Sequence, residues 1–73
     1  MNYYFDIKGA VTIRDKTGLR FPNAAAAIDH SNDLARRLRD DPRLGDSDLA
    51  ISVIDESGSE VHLKDVRHRL VIR

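Results

Sequence analysis

Residues 23–40, Asn-Ala-Ala-Ala-Ala-Ile-Asp-His-Ser-Asn-Asp-Leu-Ala-Arg-Arg-Leu-Arg-Asp, constrain this chain more than any other stretch. Alanine at four successive positions, Ala24 to Ala27, favours helix because its side chain loses no rotamer freedom there. Apolar residues recur at Ala24, Ala27, Ile28, Leu34, Ala35 and Leu38, the spacing of one buried stripe. The opposite face carries Asp29, His30, Asp33, Arg36, Arg37 and Asp40. Asn23, following Pro22, is the expected N-cap, and Pro42 is expected to end the helix by pushing Asp41 out of the α region. Ser31 interrupts the stripe. Its hydroxyl is expected to return its proton to the carbonyl of Ala27, a structural role rather than a catalytic one.

Short runs of β-like residues flank the helix and read as a sheet for it to pack on. Residues 2–8 alternate, with Tyr3, Phe5 and Ile7 on one side and Tyr4, Asp6 and Lys8 on the other. Gly9-Ala10 is a turn, and Val11 to Arg14 alternate again, completing a first hairpin. Leu19-Arg20-Phe21 is either a short third strand or an extended lead into the helix. After the helix, residues 49–55 form the strongest strand, and Ser59 to Lys64 run back with Val61 and Leu63 expected to face the core. Leu70, Val71 and Ile72 either add an edge strand or fray.

Two turns share one pattern. Ile13-Arg14-Asp15-Lys16-Thr17-Gly18 and Val53-Ile54-Asp55-Glu56-Ser57-Gly58 both read β-branched, any, Asp, charged, Ser/Thr, Gly. In such a turn the aspartate caps the backbone and the glycine takes the left-handed conformation. Cation or phosphate binding is the rival reading of Asp-x-x-Gly, and turn chemistry accounts for the pattern without it.

The pattern predicts an α+β domain, ββαββ, with a single helix on a four-stranded antiparallel sheet of order 2-1-3-4. A five-stranded sheet, with Leu19–Phe21 as a strand of its own, is the alternative. Residues 1–73 read as one domain with its core in 2–64 and a tail in 65–73. At 73 residues the core lies near the lower limit of self-sufficiency. The chain holds no cysteine, which removes disulfides and thiolate metal sites and fits a reducing compartment. Asn2-Tyr3-Tyr4-Phe5-Asp6 has no leader pattern, and no apolar run approaches the ~20 residues of a membrane span. A cytoplasmic protein is expected, with no membrane partner.

The net charge is zero but unevenly spread. Residues 1–39 carry +3, residues 40–60 carry −6 and residues 61–73 carry +3. A zero total argues against a dedicated nucleic-acid binder, which shows a basic excess over the whole domain. The acidic middle reads as a solvated loop and hairpin tip, with an acidic docking site as the rival.

Taken in order, the aromatic strand Tyr3-Tyr4-Phe5, the Asp15…Gly18 turn, the Ala-rich helix after Phe21-Pro22 and Val53-x-Asp55-x-x-Gly58 resemble a family of small alphaproteobacterial proteins grouped as a domain of unknown function. The resemblance covers about residues 3–64, and it brings no activity and no catalytic residue to carry over. The basic tail Val66-Arg67-His68-Arg69-Leu70 departs from the family's shorter ending. The strand meander, Phe21-Pro22-Asn23 and the Ala-rich helix are also similar to the antitoxin fold of HicB type. That likeness implies a partner-binding protein, and the type's active-site and DNA-binding appendages have no counterpart here.

Nothing in the pattern names a reaction. His30, His62 and His68 make no ligand spacing and read as surface residues. There is no Gly-x-Ser-x-Gly, no P-loop and no dinucleotide turn, and the chain is too short for a sizeable pocket. No catalytic residue, metal or cofactor is expected, and the chain reads as non-enzymatic.

The candidate interaction face is instead the side of the sheet away from the helix, with Tyr4, Thr12, Ala50, Ile54 and His62. A contiguous apolar patch there would serve a partner, either a second copy of the chain or another protein. The tail supplies a candidate basic patch of Lys64, Arg67, Arg69 and Arg73. The alternative function is a nucleic-acid accessory role, with Tyr3 and Tyr4 stacking bases and arginines meeting phosphates.

Overall fold

A computed structural model describes residues 1–43 and 48–66. In chain order the elements are β1 (Asn2–Lys8), β2 (Leu19–Arg20), α1 (Ala24–Asp40), β3 (Ala50–Ile54) and β4 (Glu60–Asp65). The sheet runs β2-β1-β3-β4 with every pairing antiparallel. The helix packs over β3 and β4 on one face. This is the expected α+β, ββαββ architecture, and the strand order is the expected one.

The helix ends follow the local sequence. Asn23 Oδ1 accepts the amide of Ala26 at 2.9 Å, and Asp41 is extended at φ −74°, ψ 120° ahead of Pro42. Ala27, Ser31 and Ala35 are buried at successive turns, so small side chains let the helix lie close to the sheet. The Ser31 hydroxyl donates to the carbonyl of Ile28 at 2.6 Å rather than to that of Ala27. His30 departs from its expected polar face. Its ring meets Phe5 edge-on at 5.0 Å and lies 5.4 Å from Phe21. Ala27, His30 and Leu34 follow i, i+3, i+7, so the stripe widens toward the ring that Phe21 brings in.

The second strand is not where the alternation put it. Of residues 11–14, only Ile13 bridges to β1, exchanging backbone bonds with Ile7 at 2.8 and 2.9 Å. The strand itself is Leu19–Arg20, so the short run after the loop is the fourth strand and no fifth appears among the described residues. The reason is Asp15. Its Oδ2 accepts the Phe5 amide at 3.1 Å, the donor that a regular strand would have paired. Its Oδ1 accepts Thr17 and Gly18, each at 3.0 Å, closing the turn. Ile13 is 61% exposed as a result.

The return strand holds the second correction. Asp55 accepts from Ser57 and Ser59 amides at 2.9 and 3.0 Å, so the turn forms as its sequence predicts. The Asp55 amide donates to Ser59, and Ile54 pairs with Glu60, but Val53 then pairs with His62. One extra residue, Val61, is a β-bulge, and every side chain beyond it changes face. Val61 and Leu63 are therefore 37% and 54% exposed instead of buried. Their place in the core is taken by Val66, which is 1% exposed and donates its amide to Leu49 at 2.9 Å. The core joins Tyr3, Phe5, Ile51 and Val53 to Ala27, Ala35 and Val66, so it reaches past residue 64. The alternative of an edge strand at Leu70–Ile72 lies outside the described residues.

Both turn glycines are left-handed, Gly18 at φ 75° and Gly58 at φ 87°. They differ in surroundings. A Cβ on Gly18 would meet the Tyr4 ring at 2.8 Å and the Tyr3 carbonyl at 3.1 Å, whereas one on Gly58 meets nothing within 4 Å. Gly58→Ala is expected to cost about 1 kcal/mol, from backbone strain alone. Gly18→Ala should cost about 2–3 kcal/mol, because the ring must also move. Urea melts of the two variants read the difference directly.

Candidate interaction surface

The face of the sheet away from α1 follows from register. Tyr4 pairs with Ile54, Asp6 with Ser52 and Lys8 with Ala50, all on the side opposite the buried Phe5–Val53 pair. Across β3, Ser52 pairs with Leu63 and Ile54 with Glu60. Two polar residues in the middle of this face are buried although no helix covers them. Asp6 lies under the loop at 14–18 and accepts the Asp15 amide at 2.9 Å. Ser52 lies under Glu60, to which its hydroxyl donates, and Lys8 Nζ approaches the same carboxylate at 3.5 Å. The Ser52 hydroxyl holds the Glu60 carboxyl below its ordinary range; burial opposes that only in part, and Lys8 adds to it.

The result is a mixed face. Lys8 and Glu60 cross its centre, Tyr4 and Ile54 are half-buried at one end, and Leu63 stands exposed beside them. Of the residues expected here, Tyr4, Ala50 and Ile54 belong to it. Thr12 lies in the loop outside the strands, and His62 pairs with Val53 on the helix side. Both are corrections, the first caused by Asp15 and the second by the bulge. Of the basic patch, Lys64 pairs with Ile51 and is half-buried on the helix side. Arg67, Arg69 and Arg73 lie outside the described residues. Leu63, Lys8 and Glu60 went unrecognised in the sequence. The alternation of residues 2–8 did put Lys8 on this face, but no local pattern marks a bulge.

Other chemistry finds little to work with. Among the described residues no group of three His, Asp or Glu side chains is placed to hold a metal ion, and there is no cavity. Ser52 beside Glu60 has the form of a nucleophile and base, but Ser52 is fully buried and nothing can reach it. Tyr3 is a core residue, so an aromatic platform for bases would rest on Tyr4 alone. No helix among the described residues is long and apolar enough to cross a membrane.

No curated protein matches the chain, and no solved structure matches it. One family model does, over residues 2–67, which takes in all five elements and both Asp-x-x-Gly turns. The chain belongs to the family described as Domain of unknown function (DUF6894).

Proposed function

We propose that this protein is a small, non-enzymatic interaction module that pairs with a second copy of itself through the sheet face opposite α1. One observation carries the reading: this face combines the apolar Tyr4, Ile54 and Leu63 with a Lys8–Glu60 pair at its centre. A two-fold axis near Ser52 would set Lys8 of each copy against Glu60 of the other. A surface carrying both signs at its middle is complementary to itself, as a symmetric dimer requires. A heterologous protein partner on the same face is the nearest rival. The absence of cysteine supports a cytoplasmic setting. A nucleic-acid role is weakened by the burial of Tyr3, and an antitoxin-like role rests on the order of strands and helix alone.

Light scattering after gel filtration tests the dimer. The expected species has twice the chain mass of 8.2 kDa. Leu63→Lys and Ile54→Lys should each weaken self-association at least about tenfold, an effect of roughly 1.4 kcal/mol. The circular dichroism of Leu63→Lys should not change, since that side chain is exposed. A species of chain mass at high concentration, indifferent to both substitutions, would remove the homodimer.

A further inference from the structure

The sheet face opposite α1 carries opposite charges on its two flanks. Register places Arg20 on this face, since Arg20 pairs with Asn2, which alternates in phase with Tyr4, Asp6 and Lys8. The loop at 14–18 lies over the same face. Its Asp15 amide donates to Asp6 at 2.9 Å, and a Cβ on Gly18 would meet the Tyr4 ring at 2.8 Å. The β2 flank therefore holds Arg14, Lys16 and Arg20 against Asp15, three bases less one acid, a formal +2. On the β4 flank Glu60 pairs with Ile54 and Asp65 with Ala50, a formal −2 from two acids. Between the flanks Lys8 and Asp6 on β1 cancel. Arg14, Arg20 and Asp65 are exposed, and none stands in an ion pair among the described residues.

The opposite charges also match end for end along the strands. Arg20 and Glu60 stand at the Tyr4–Ile54 end of the sheet. Arg14 follows Ile13, which bridges Ile7, and so stands toward the other end, where Lys8, Ala50 and Asp65 share one row. Aligned sheets stack ~10 Å apart with their strands within about 30° of each other. A two-fold axis between two such sheets runs either across the strands or along them. The axis across the strands exchanges the ends and sets each flank on itself, so Glu60 meets Asp65 and Arg14 meets Arg20. The axis along the strands keeps the ends and exchanges the flanks. Arg14 then meets Asp65, Arg20 meets Glu60, and Tyr4 meets Ile54.

We infer that two copies pair about the axis along the strands, with β2 and the 14–18 loop of each lying over β4 of the other. The inference rests on the face-to-face dimer proposed above and adds the residues that orient it. The apolar Tyr4–Ile54 contact falls at its centre, while Arg14, Arg20, Glu60 and Asp65 at the flanks fix the orientation and select a second copy as partner.

Sedimentation of the full chain tests this with charge reversals on separate copies. Arg14→Glu and Asp65→Lys should each weaken self-association about tenfold, because each sets like charges together at both flanks of its own dimer. An equimolar mixture of the two is expected to associate as the parent does. The new glutamate then faces the new lysine, and the opposite flank keeps its native pair. Both side chains are exposed, so the melting curve of each variant should match the parent. A second reading needs no change of charge sign. The chain holds no cysteine, so a short bismaleimide should join a mixture of Arg14→Cys and Asp65→Cys chains and leave either kind alone uncoupled. A dimeric parent whose mixed charge variants stay apart, or whose Arg14→Cys chains couple to themselves, would overturn the arrangement and leave the dimer standing. A parent of single-chain mass would remove both.

Discussion

Replacing Asp15 by alanine is expected to lower stability by roughly 2–3 kcal/mol, more than any other substitution of a polar side chain in the described structure. One carboxylate does the work of a missing strand segment between the Ile7–Ile13 bridge and the Tyr3–Leu19 pair. Without it the Phe5 amide loses its acceptor and the turn amides of Thr17 and Gly18 lose theirs. Asparagine does not rescue the site. It offers one oxygen where the native residue uses two, and its amide group would face a second donor. For a domain of this size the loss corresponds to a fall in Tm of about 10–20 °C.

The same substitution has a pH signature. Burial by itself would raise the Asp15 carboxyl, but the amides of Gly18, Phe5 and Thr17 outweigh it and hold the group below its ordinary value of 3.8. A carboxyl depressed in the folded state contributes stability that is present above its unfolded value and lost as pH falls through the folded one. The gap between the parent and Asp15→Asn should therefore be full at pH 7 and should narrow below about pH 4. Thermal melts at pH 7, 4 and 3 measure it. A gap that stays constant with pH would mean that the charge of Asp15 contributes nothing.

The second large effect lies at Val66. Val66→Ala should cost about 2–3 kcal/mol, from lost burial and the cavity left beneath α1. Stability for a chain of this length is on the order of 4–11 kcal/mol, so Val66→Asp is expected to unfold it. Val61→Ser and Leu63→Ser, five and three residues before Val66 and exposed on β4, should change stability by no more than about 0.5 kcal/mol. Truncation sharpens the contrast. A chain ending at Val66 keeps every described core residue and should melt cooperatively, while one ending at Leu63 should not fold. If removal of residues 67–73 unfolds the protein, the core extends further than Val66.

The architecture was legible because its determinants are local. Alanines 24–27, Asn23 and Pro42 fix the helix, and alternation fixes the faces of β1 and β3. Each Asp-x-x-Gly turn was legible too, since its hydrogen bonds join residues only two to four apart. What escaped was non-local. That Asp15 would reach ten residues back to Phe5 and replace a strand has no signature in the alternation of Val11 to Arg14. The bulge at Val61 depends on how β4 settles against Val53 and Ile54, and it turned the parity of His62 and Leu63 over. The candidate surface suffered most from this. Tyr4, Ala50 and Ile54 precede the bulge and were placed correctly, whereas His62 follows it and was not. His30 was misread because a helix stripe is wider than its most apolar positions.

The central proposal, pairing of two copies through the sheet face, is tested most directly by intermolecular nuclear Overhauser effects. A sample mixed from isotope-labelled and unlabelled chains reports only contacts between copies. The methyls of Ile54 and Leu63 are expected to show such contacts to the Tyr4 ring of the other copy, weakening as salt screens Lys8 from Glu60. Contacts confined to the exposed side of α1, at Asp29, Asp33 or Arg36, would contradict it, as would a concentrated sample with no intermolecular signal.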